Sequence, residues 1–240
     1  MAVTLLVTAT GLEAAPLKRA LPWTPQPFAL GELFALPGRD VYLAHLGVAK
    51  VNTAAGLALA LHTLKPDRVL QFGIGGAFAG AGLELEQVAV ATQETHMDTG
   101  VGLENGWQDM AALGFPLVAG HYNIFKTDAE LTRTLAELTG AVEQPFGTSE
   151  TVTGSFAKAE ELYNRLGVGL ESMEGAAAAQ VCTALGVPFA ELRGVSNAVG
   201  ERDKANWRLR GAVDAANAAV LAFVRGEHGD VGATDKPTDP

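Results

Sequence analysis

The side chains best suited to chemistry in this sequence are two glutamates and an asparagine that adjoin predicted core elements. Glu13 follows a short apolar strand, Glu174 opens a small-sided helix, and Asn197 ends another apolar strand. Carboxylates bind hydroxyl groups or take protons from water, and an amide offers one acceptor and two donors. Each position also has a simpler explanation, because acidic residues favour helix starts and asparagine is common in turns and caps. Helix-dipole complementarity does not explain, however, why all three residues lie at the ends of core elements. Together they indicate a site.

Other kinds of site find no support in the sequence. The glycines at 73–76 follow a strand, but Phe78 takes the third small position of G-x-G-x-x-G and a strand is expected next, which excludes a dinucleotide fingerprint. The glycines form either a simple tight turn or a bare backbone against which a small ligand lies. The five histidines show no metal-ligand spacing, and no G-x-S-x-G elbow is present. We therefore expect neither a metal nor a cofactor.

Composition narrows the class of protein. The chain has 240 residues, of which 48% are hydrophobic, and a net charge of -10, which disfavours nucleic acid and anionic membranes as partners. We predict one domain over residues 1–225 and a disordered acidic tail over 226–240, where apolar periodicity is lost. The single cysteine, Cys182, excludes an intrachain disulfide. Neither a signal peptide nor a membrane span is recognisable, so we expect a cytoplasmic protein.

The elements that must position these residues alternate between strands and helices. Apolar β-branched segments predict strands at 3–10, 41–47, 67–72, 87–92 and 187–197, the third of which runs directly into the glycines 73–76. Helical periodicity, caps and terminating Gly or Pro predict helices at 11–21, 50–66, 128–138, 156–167, 174–186 and 205–224. Such alternation predicts an α/β domain in which helices cover a parallel or mixed sheet. Ligands of such folds gather beyond the carboxyl ends of the strands, where the three polar residues are expected.

Five motifs follow one another over residues 3–224, namely VTATGLEAAPL, GVAKVNTA, FGIGGAF, SMEGAAAAQVC and RGVSN. Together and in this order they resemble the nucleoside phosphorylase and nucleosidase superfamily, whose members cleave purine or pyrimidine N-ribosidic bonds. The resemblance implies a central mixed sheet, a distorted barrel, flanked by helices, and a homo-oligomer, dimer or larger. Within the superfamily the sequence is most similar to the futalosine hydrolases, which release hypoxanthine from futalosine in an alternative route to menaquinone.

The resemblance also implies a role for individual residues. Glu174 and Met173 match the family's ribose-binding pair, in which the carboxylate accepts hydrogen bonds from sugar hydroxyls and the thioether packs on the sugar. Glu13 matches the glutamate that positions and deprotonates the attacking water. Gly76 matches the loop near that water, and Val152 aligns with a residue whose backbone contacts the purine.

Asn197 is an informative departure from the nucleosidases that act on adenine nucleosides, which have an aspartic acid there. The amide NH2 can donate to a purine O6 while the carbonyl accepts a hydrogen bond from a protonated N7, which suits hypoxanthine; with adenine, two NH2 groups would meet. A buried donor without a partner costs about 1–3 kcal/mol. The sequence therefore predicts a 6-oxopurine leaving group. Thr151 stands where those enzymes have an aromatic ring over the base, so stacking is not implied at this position.

Water is favoured over phosphate as the nucleophile. Gln71 stands in the place of a phosphorylase-like arginine, and Glu13 would repel phosphate by about 4 kcal/mol at about 4 Å under an effective dielectric near 20. Lys50 would weaken this repulsion. The expected mechanism makes the sugar positive and the base negative, so that Glu174, Asn197 and Glu13 stabilise the sugar, the purine and the attacking water.

The substrate of the futalosine hydrolases carries a benzoate-bearing arm at the 5′ end of its sugar. Arg202 and Arg208, beside Trp207, are candidates to bind that carboxylate, although each is also typical of an ordinary solvated helix start. Two alternatives to the expected function stay open. One is another purine nucleosidase or phosphorylase, acting on inosine, methylthioadenosine or S-adenosylhomocysteine; the other is a non-catalytic nucleoside-binding protein.

Overall fold

Residues 2–228, which the computed structural model describes, form twelve strands and seven α-helices. The strands are β1 (Thr4–Thr8), β2 (Thr24–Gln26), β3 (Glu32–Ala35), β4 (Val41–His45), β5 (Arg68–Ala77), β6 (Val88–His96), β7 (Gly100–Leu103), β8 (Gly106–Asp109), β9 (Ile124–Lys126), β10 (Val142–Thr148), β11 (Leu170–Ser172) and β12 (Phe189–Ala198). The helices are α1 (Ala15–Ala20), α2 (Lys50–Leu64), α3 (Met110–Leu113), α4 (Ala129–Thr139), α5 (Phe156–Leu166), α6 (Gly175–Leu185) and α7 (Leu209–His228).

Ten of the strands belong to one mixed sheet, and five of these close into a barrel. The ring runs β5, β12, β6, β10 and β11, and β11 pairs back onto β5 in the antiparallel sense. Strands β1, β4, β3 and β2 extend the sheet outward from β5, while β7 and β8 form a separate hairpin. The predicted α/β class with a central mixed sheet is therefore confirmed.

Helices cover both faces of the sheet, which explains why its central strands are apolar almost throughout. Leu5 and Leu6, neighbours on β1, belong to opposite hydrophobic cores. One core is closed by α1, α4 and α7, and the other by α2 and α6, whose small alanines allow close packing on the sheet. Burial of each large apolar side chain stabilises the fold by about 1.5–3 kcal/mol. None of the helices within residues 2–228 is long and apolar enough to cross a bilayer.

Local signals set the helix boundaries. The Asp128 side chain accepts a hydrogen bond from the Leu131 N–H at the start of α4, and Gly167 and Gly186 end α5 and α6 in the left-handed conformation. Helix α7 continues to His228, three residues past the predicted domain boundary at 225. The rest of the predicted tail, 229–240, lies outside the described residues.

The prediction of a turn or loop at the glycines 73–76 is wrong, because β5 continues through all four of them. These glycines make room for neighbouring side chains. A Cβ on Gly73 would collide with the carboxylate of Glu13 and lie 2.8 Å from Nη1 of Arg193, and a Cβ on Gly75 would collide with Leu170. The glycines therefore mark a part of β5, beside the candidate site, where neighbouring side chains occupy the space of a Cβ.

Candidate active site

All of the predicted site residues except Arg208 line one cavity of about 320 Å³ at the ends of the core strands. Its lining includes Glu13 in the loop after β1, Glu174 directly before α6, and Asn197 on β12. The lining also contains further predicted residues, namely Gly76, Val152, Met173 and Arg202, together with Trp207. The sequence therefore identified groups that the fold brings together from distant positions.

Glu13 lies in a loop and not in the first turn of α1, so helix-dipole complementarity does not explain it. Its Oε2 accepts hydrogen bonds from the Thr8 hydroxyl (3.0 Å), the Thr10 hydroxyl (3.1 Å) and the Thr10 N–H (3.1 Å). Its Oε1 accepts a hydrogen bond from the Ile74 N–H at 3.2 Å. The side chain is buried, and these donors fix the carboxylate against the end of β1 and the middle of β5.

A buried asparagine on α7 holds the loop that carries Glu13. The amide of Asn217 donates to the Glu13 carbonyl at 2.6 Å and accepts a hydrogen bond from the Leu17 N–H at 3.0 Å. The last helix thus satisfies backbone groups in the loop and the first helix.

Glu174 occupies the N-cap position of α6, but its side chain makes no capping hydrogen bond. One carboxylate oxygen accepts from the Ala49 N–H at 3.0 Å, and the other accepts from Nη2 of Arg193 at 3.0 Å. Ala49 has φ 77° and ψ 166°, a conformation that L-residues rarely adopt and that costs about 1–3 kcal/mol. This strained residue aims its N–H at the candidate sugar-binding carboxylate.

Arg193 links the two glutamates and was not assigned from the sequence. Its side chain is 2% exposed, and Nη1 lies 3.7 Å from Oε1 of Glu13 and donates to the Ile74 carbonyl at 2.9 Å. Burial opposes the positive charge, but Glu191, Glu174 and Glu13 outweigh it and raise the pKa of Arg193 above its ordinary value. A sequence signal did exist: a glutamate and an arginine two residues apart in an apolar strand must share one face.

A β-bulge turns Asn197 toward the cavity. Along β12, Val195 pairs with the residue before Gly76 and Asn197 pairs with Gly76 itself, so Ser196 is the extra residue. The Ser196 hydroxyl donates to Oδ1 of Asn197 at 2.8 Å, and Nδ2 donates to the Ala198 carbonyl at 2.8 Å. The amide therefore neither caps a helix nor forms a turn. The absence of a side chain on Gly76 leaves space beside it.

A third buried carboxylate in the cavity lining, that of Glu171, secures the loop that carries Val152. Glu171 lines the cavity and accepts hydrogen bonds from the Thr153 hydroxyl at 2.5 Å and the Thr153 N–H at 3.2 Å. Burial raises the pKa of the Glu171 carboxyl. Val152 also borders a neighbouring cavity of about 660 Å³, which is where Thr151 lies.

The two arginines proposed for the substrate carboxylate differ in position. Arg202 lies at the exposed rim of the cavity with its guanidinium 5.3 Å from the ring centroid of Trp207. Arg208 does not line the cavity; its backbone N–H donates to the Ser196 carbonyl at 2.7 Å, while its side chain is exposed. The structure therefore does not bring the Arg208 guanidinium into this cavity, since only the backbone of Arg208 is tied to β12.

Comparison with known proteins identifies relatives along nearly the whole chain. The family model described as the phosphorylase superfamily matches residues 4–225. Futalosine hydrolase of Thermus thermophilus is 37% identical over 229 residues, which cover 94% of this chain and 96% of that protein. Futalosine hydrolase of Streptomyces coelicolor is also 37% identical, over 90% of this chain and 92% of its own. The 5′-methylthioadenosine/S-adenosylhomocysteine nucleosidase of Lysinibacillus sphaericus is 28% identical over 71% and 74%.

Solved structures agree at the level of the fold. Futalosine hydrolase of Helicobacter pylori aligns with a TM-score of 0.81 at 18% identity, covering 93% of this chain and 98% of that one. The nucleosidase of Colwellia psychrerythraea in complex with adenine aligns with a TM-score of 0.81 at 22% identity, covering 97% and 99%. The family model matches almost all of the described residues, and two relatives are identical to this chain at more than a third of the aligned positions. This chain therefore belongs to the phosphorylase superfamily.

Proposed function

We propose that this chain is a futalosine hydrolase, which uses water to cleave the N-ribosidic bond of futalosine and release hypoxanthine. The observation that carries the proposal is the convergence of Glu13, Glu174 and Asn197 on one cavity. Two relatives with 37% identity are futalosine hydrolases, and other relatives are nucleosidases. Both kinds of relative hydrolyse N-glycosyl bonds, so hydrolysis is the activity of this enzyme class, and the proposal concerns the substrate and the residue roles.

The sugar side of the cavity is negatively charged, which suits the reaction. Bond cleavage passes through an oxocarbenium-like state in which the ribose becomes positive. In the proposed mechanism Glu174 accepts hydrogen bonds from the ribose hydroxyls, and Glu13 takes a proton from the water that attacks C1′. Arg193 holds both carboxylates without neutralising them fully, because it is one cation among several anions.

On the purine side the amide of Asn197 has a defined orientation. Its Nδ2 donates to the Ala198 carbonyl, which only the NH2 end of the amide can do, and its Oδ1 lies on the side of the Ser196 hydroxyl. In the proposed complex N7 of the leaving purine takes a proton from solvent; Nδ2 then donates a hydrogen bond to O6 of hypoxanthine, and Oδ1 accepts a hydrogen bond from N7–H. The backbone of Val152, at the cavity wall, contacts the base.

The rim supplies a binding group for the 5′ arm of futalosine. In the proposal Arg202 pairs with the benzoate carboxylate. Replacing Arg202 by alanine is expected to raise the KM for futalosine about tenfold and to leave the KM for inosine, which lacks the arm, unchanged. Arg208→Ala is the matched control, because that side chain lies outside the cavity. An unchanged KM for futalosine in the Arg202 variant would refute this contact.

The decisive experiment is a base-release assay on the purified protein. Futalosine, inosine and methylthioadenosine are supplied separately, with and without phosphate, and the freed base and sugar are separated by chromatography. The proposal predicts hypoxanthine and free sugar from futalosine at a rate independent of phosphate. Preferred adenine release, a requirement for phosphate, or binding without turnover would each contradict it and would favour one of the alternative functions.

A further inference from the structure

Two glutamates that the proposed mechanism does not use are buried directly behind the active site. Glu94 on β6 and Glu191 on β12 are both fully buried. They meet beneath Gly175, the first residue of α6, where a Cβ would collide with Glu191 and lie 2.5 Å from Glu94. Two ionisable groups in such a place are costly to bury, so their contacts require an explanation.

Glu191 contacts the arginine that organises the site. Its Oε1 accepts a hydrogen bond from Nε of Arg193 at 2.5 Å, while Nη2 of Arg193 reaches Glu174 at 3.0 Å. The guanidinium is planar, and its donors have a fixed fork geometry. An acceptor held on the Nε side therefore sets the plane in which the other nitrogens point to Glu174 and Glu13.

Glu94 has a different set of contacts and no hydrogen bond with Arg193. Its Oε2 accepts from the Thr148 hydroxyl at 3.1 Å, and that hydroxyl oxygen accepts from the Ala176 N–H at 2.8 Å. The remaining oxygens, Oε1 of Glu94 and Oε2 of Glu191, have no hydrogen-bond partner among the described residues. Two adjacent buried carboxylates cannot both stay ionised, so the pair retains one proton.

The contacts determine which member of the pair is charged. Glu191 pairs with a guanidinium, whereas the hydrogen bond to the Glu94 carboxyl comes from the neutral Thr148 hydroxyl. Burial raises the pKa of both carboxyls. The negative charge of Glu191 adds to the rise at Glu94, whose pKa lies well above its ordinary value, while the Arg193 guanidinium opposes the rise at Glu191. Glu94 is thus the protonated partner, and Glu191 is the anion.

We propose that Glu191 is a positioning residue for hydrolysis: as the ionised member of the pair, it fixes the plane of Arg193 and thereby aligns Glu174 and Glu13 with the substrate. This role rests on the proposed functions of Glu13 and Glu174. Glu191 itself does not line the cavity and touches no substrate. The neutral Glu94 shields it and adds no second negative charge.

Matched glutamine variants test the assignment, because glutamine keeps the shape of either side chain but cannot ionise. Glu191→Gln is expected to lower kcat about ten- to a hundredfold, as for loss of a charge-assisted hydrogen bond, with little change in KM. Glu94→Gln imitates the protonated carboxyl and is expected to retain a kcat close to the wild-type value. Equal kcat values for Glu191→Gln and the wild type, or a larger loss in Glu94→Gln, would overturn the proposal.

A double-mutant cycle separates positioning from a merely structural role. If Glu191 acts through Arg193, Glu191→Gln causes no further loss of kcat once Arg193→Gln is present. Additive losses would overturn the proposal. If Glu191→Gln fails to fold, Glu191→Asp replaces it; this variant keeps the charge but withdraws the carboxylate by one methylene, so kcat is again expected to fall, and a wild-type kcat would overturn the role.

The assay uses the nucleoside that the wild type hydrolyses fastest. Absence of turnover with every nucleoside refutes the proposed function and, with it, this role. Turnover by the wild type with an unaffected Glu191→Gln variant refutes the positioning role alone.

Discussion

At the scale of single residues, hydrogen bonds from neighbouring residues set the orientation of the side chains in the site. The Ala198 carbonyl orientates the amide of Asn197, and two threonines and a backbone N–H orientate the carboxylate of Glu13. The three polar residues were predictable because each interrupts or ends an apolar element. Arg193 was not assigned, because an arginine within a strand gives no indication from sequence alone of which distant carboxylates surround it.

The base preference gives a prediction at this scale. Asn197→Asp removes the NH2 that faces O6 in the proposed complex and places a carboxylate there, so kcat/KM for release of hypoxanthine is expected to fall about ten- to a hundredfold. The ratio of adenine release to hypoxanthine release is expected to rise. The measurement is kcat/KM for paired inosine- and adenosine-type substrates. Asn164→Asp, at an exposed position on α5, is the control for an added negative charge. An unchanged ratio in Asn197→Asp would remove Asn197 from base selection.

At the scale of elements, local sequence signals predicted the helices and strands that local interactions determine. Helices α4 to α7 and strands β1 and β4 appeared near their predicted places, because caps and apolar periodicity specify them. Strands β10 and β11 were not predicted. Strand β10 contains Pro145 at a register shift, and β11 has only three residues. Both form strands because they pair with distant strands, and no local sequence pattern predicts such pairing. The glycines of β5 were assigned to a turn for the same reason: the space they provide belongs to other elements.

The glycine in β5 beside Glu13 gives a prediction at the element scale. In Gly73→Ala the new methyl group collides with the Glu13 carboxylate and meets the Arg193 guanidinium, so both must move. We expect kcat to fall at least about tenfold and the free energy of unfolding to drop by about 1–3 kcal/mol through overpacking. Kinetics and denaturant titration measure the two effects. Gly102→Ala, where a Cβ meets nothing within 4 Å, is the control. Full activity in Gly73→Ala would show that the position of Glu13 tolerates displacement.

At the scale of the whole molecule, the buried titratable groups make stability depend on pH. His96 on β6 is buried, and its Nε2 lies 2.9 Å from Oε1 of Gln180. Burial, followed by the charge of Lys50, lowers the pKa of His96 from 6.5 to about 4. Between these two values the unfolded chain binds a proton that the folded chain does not. The stabilisation by neutral His96 is therefore complete above pH 6.5 and is lost as the pH falls toward 4.

Replacement of His96 tests whether its protonation makes the folding stability depend on pH. Between pH 7 and pH 5 the wild type is expected to lose about 2 kcal/mol of folding free energy more than His96→Gln does, because glutamine does not titrate. Urea titrations at several pH values measure the difference. His62→Gln, at an exposed position on α2, is the control and should follow the wild type. Parallel pH profiles for the wild type and His96→Gln would contradict the assignment.

The hydrogen bond from Asn217 to the Glu13 carbonyl has a consequence for the newly made protein, because it joins residues 204 positions apart. When the ribosome has released the chain as far as Asn197, α7, which immobilises the loop of Glu13, has not yet emerged. A nascent chain in that state contains Glu13, Glu174 and Asn197 but lacks the hydrogen bond from Asn217 that holds the loop of Glu13. The onset of turnover during synthesis should therefore coincide with docking of α7, and not with closure of the barrel.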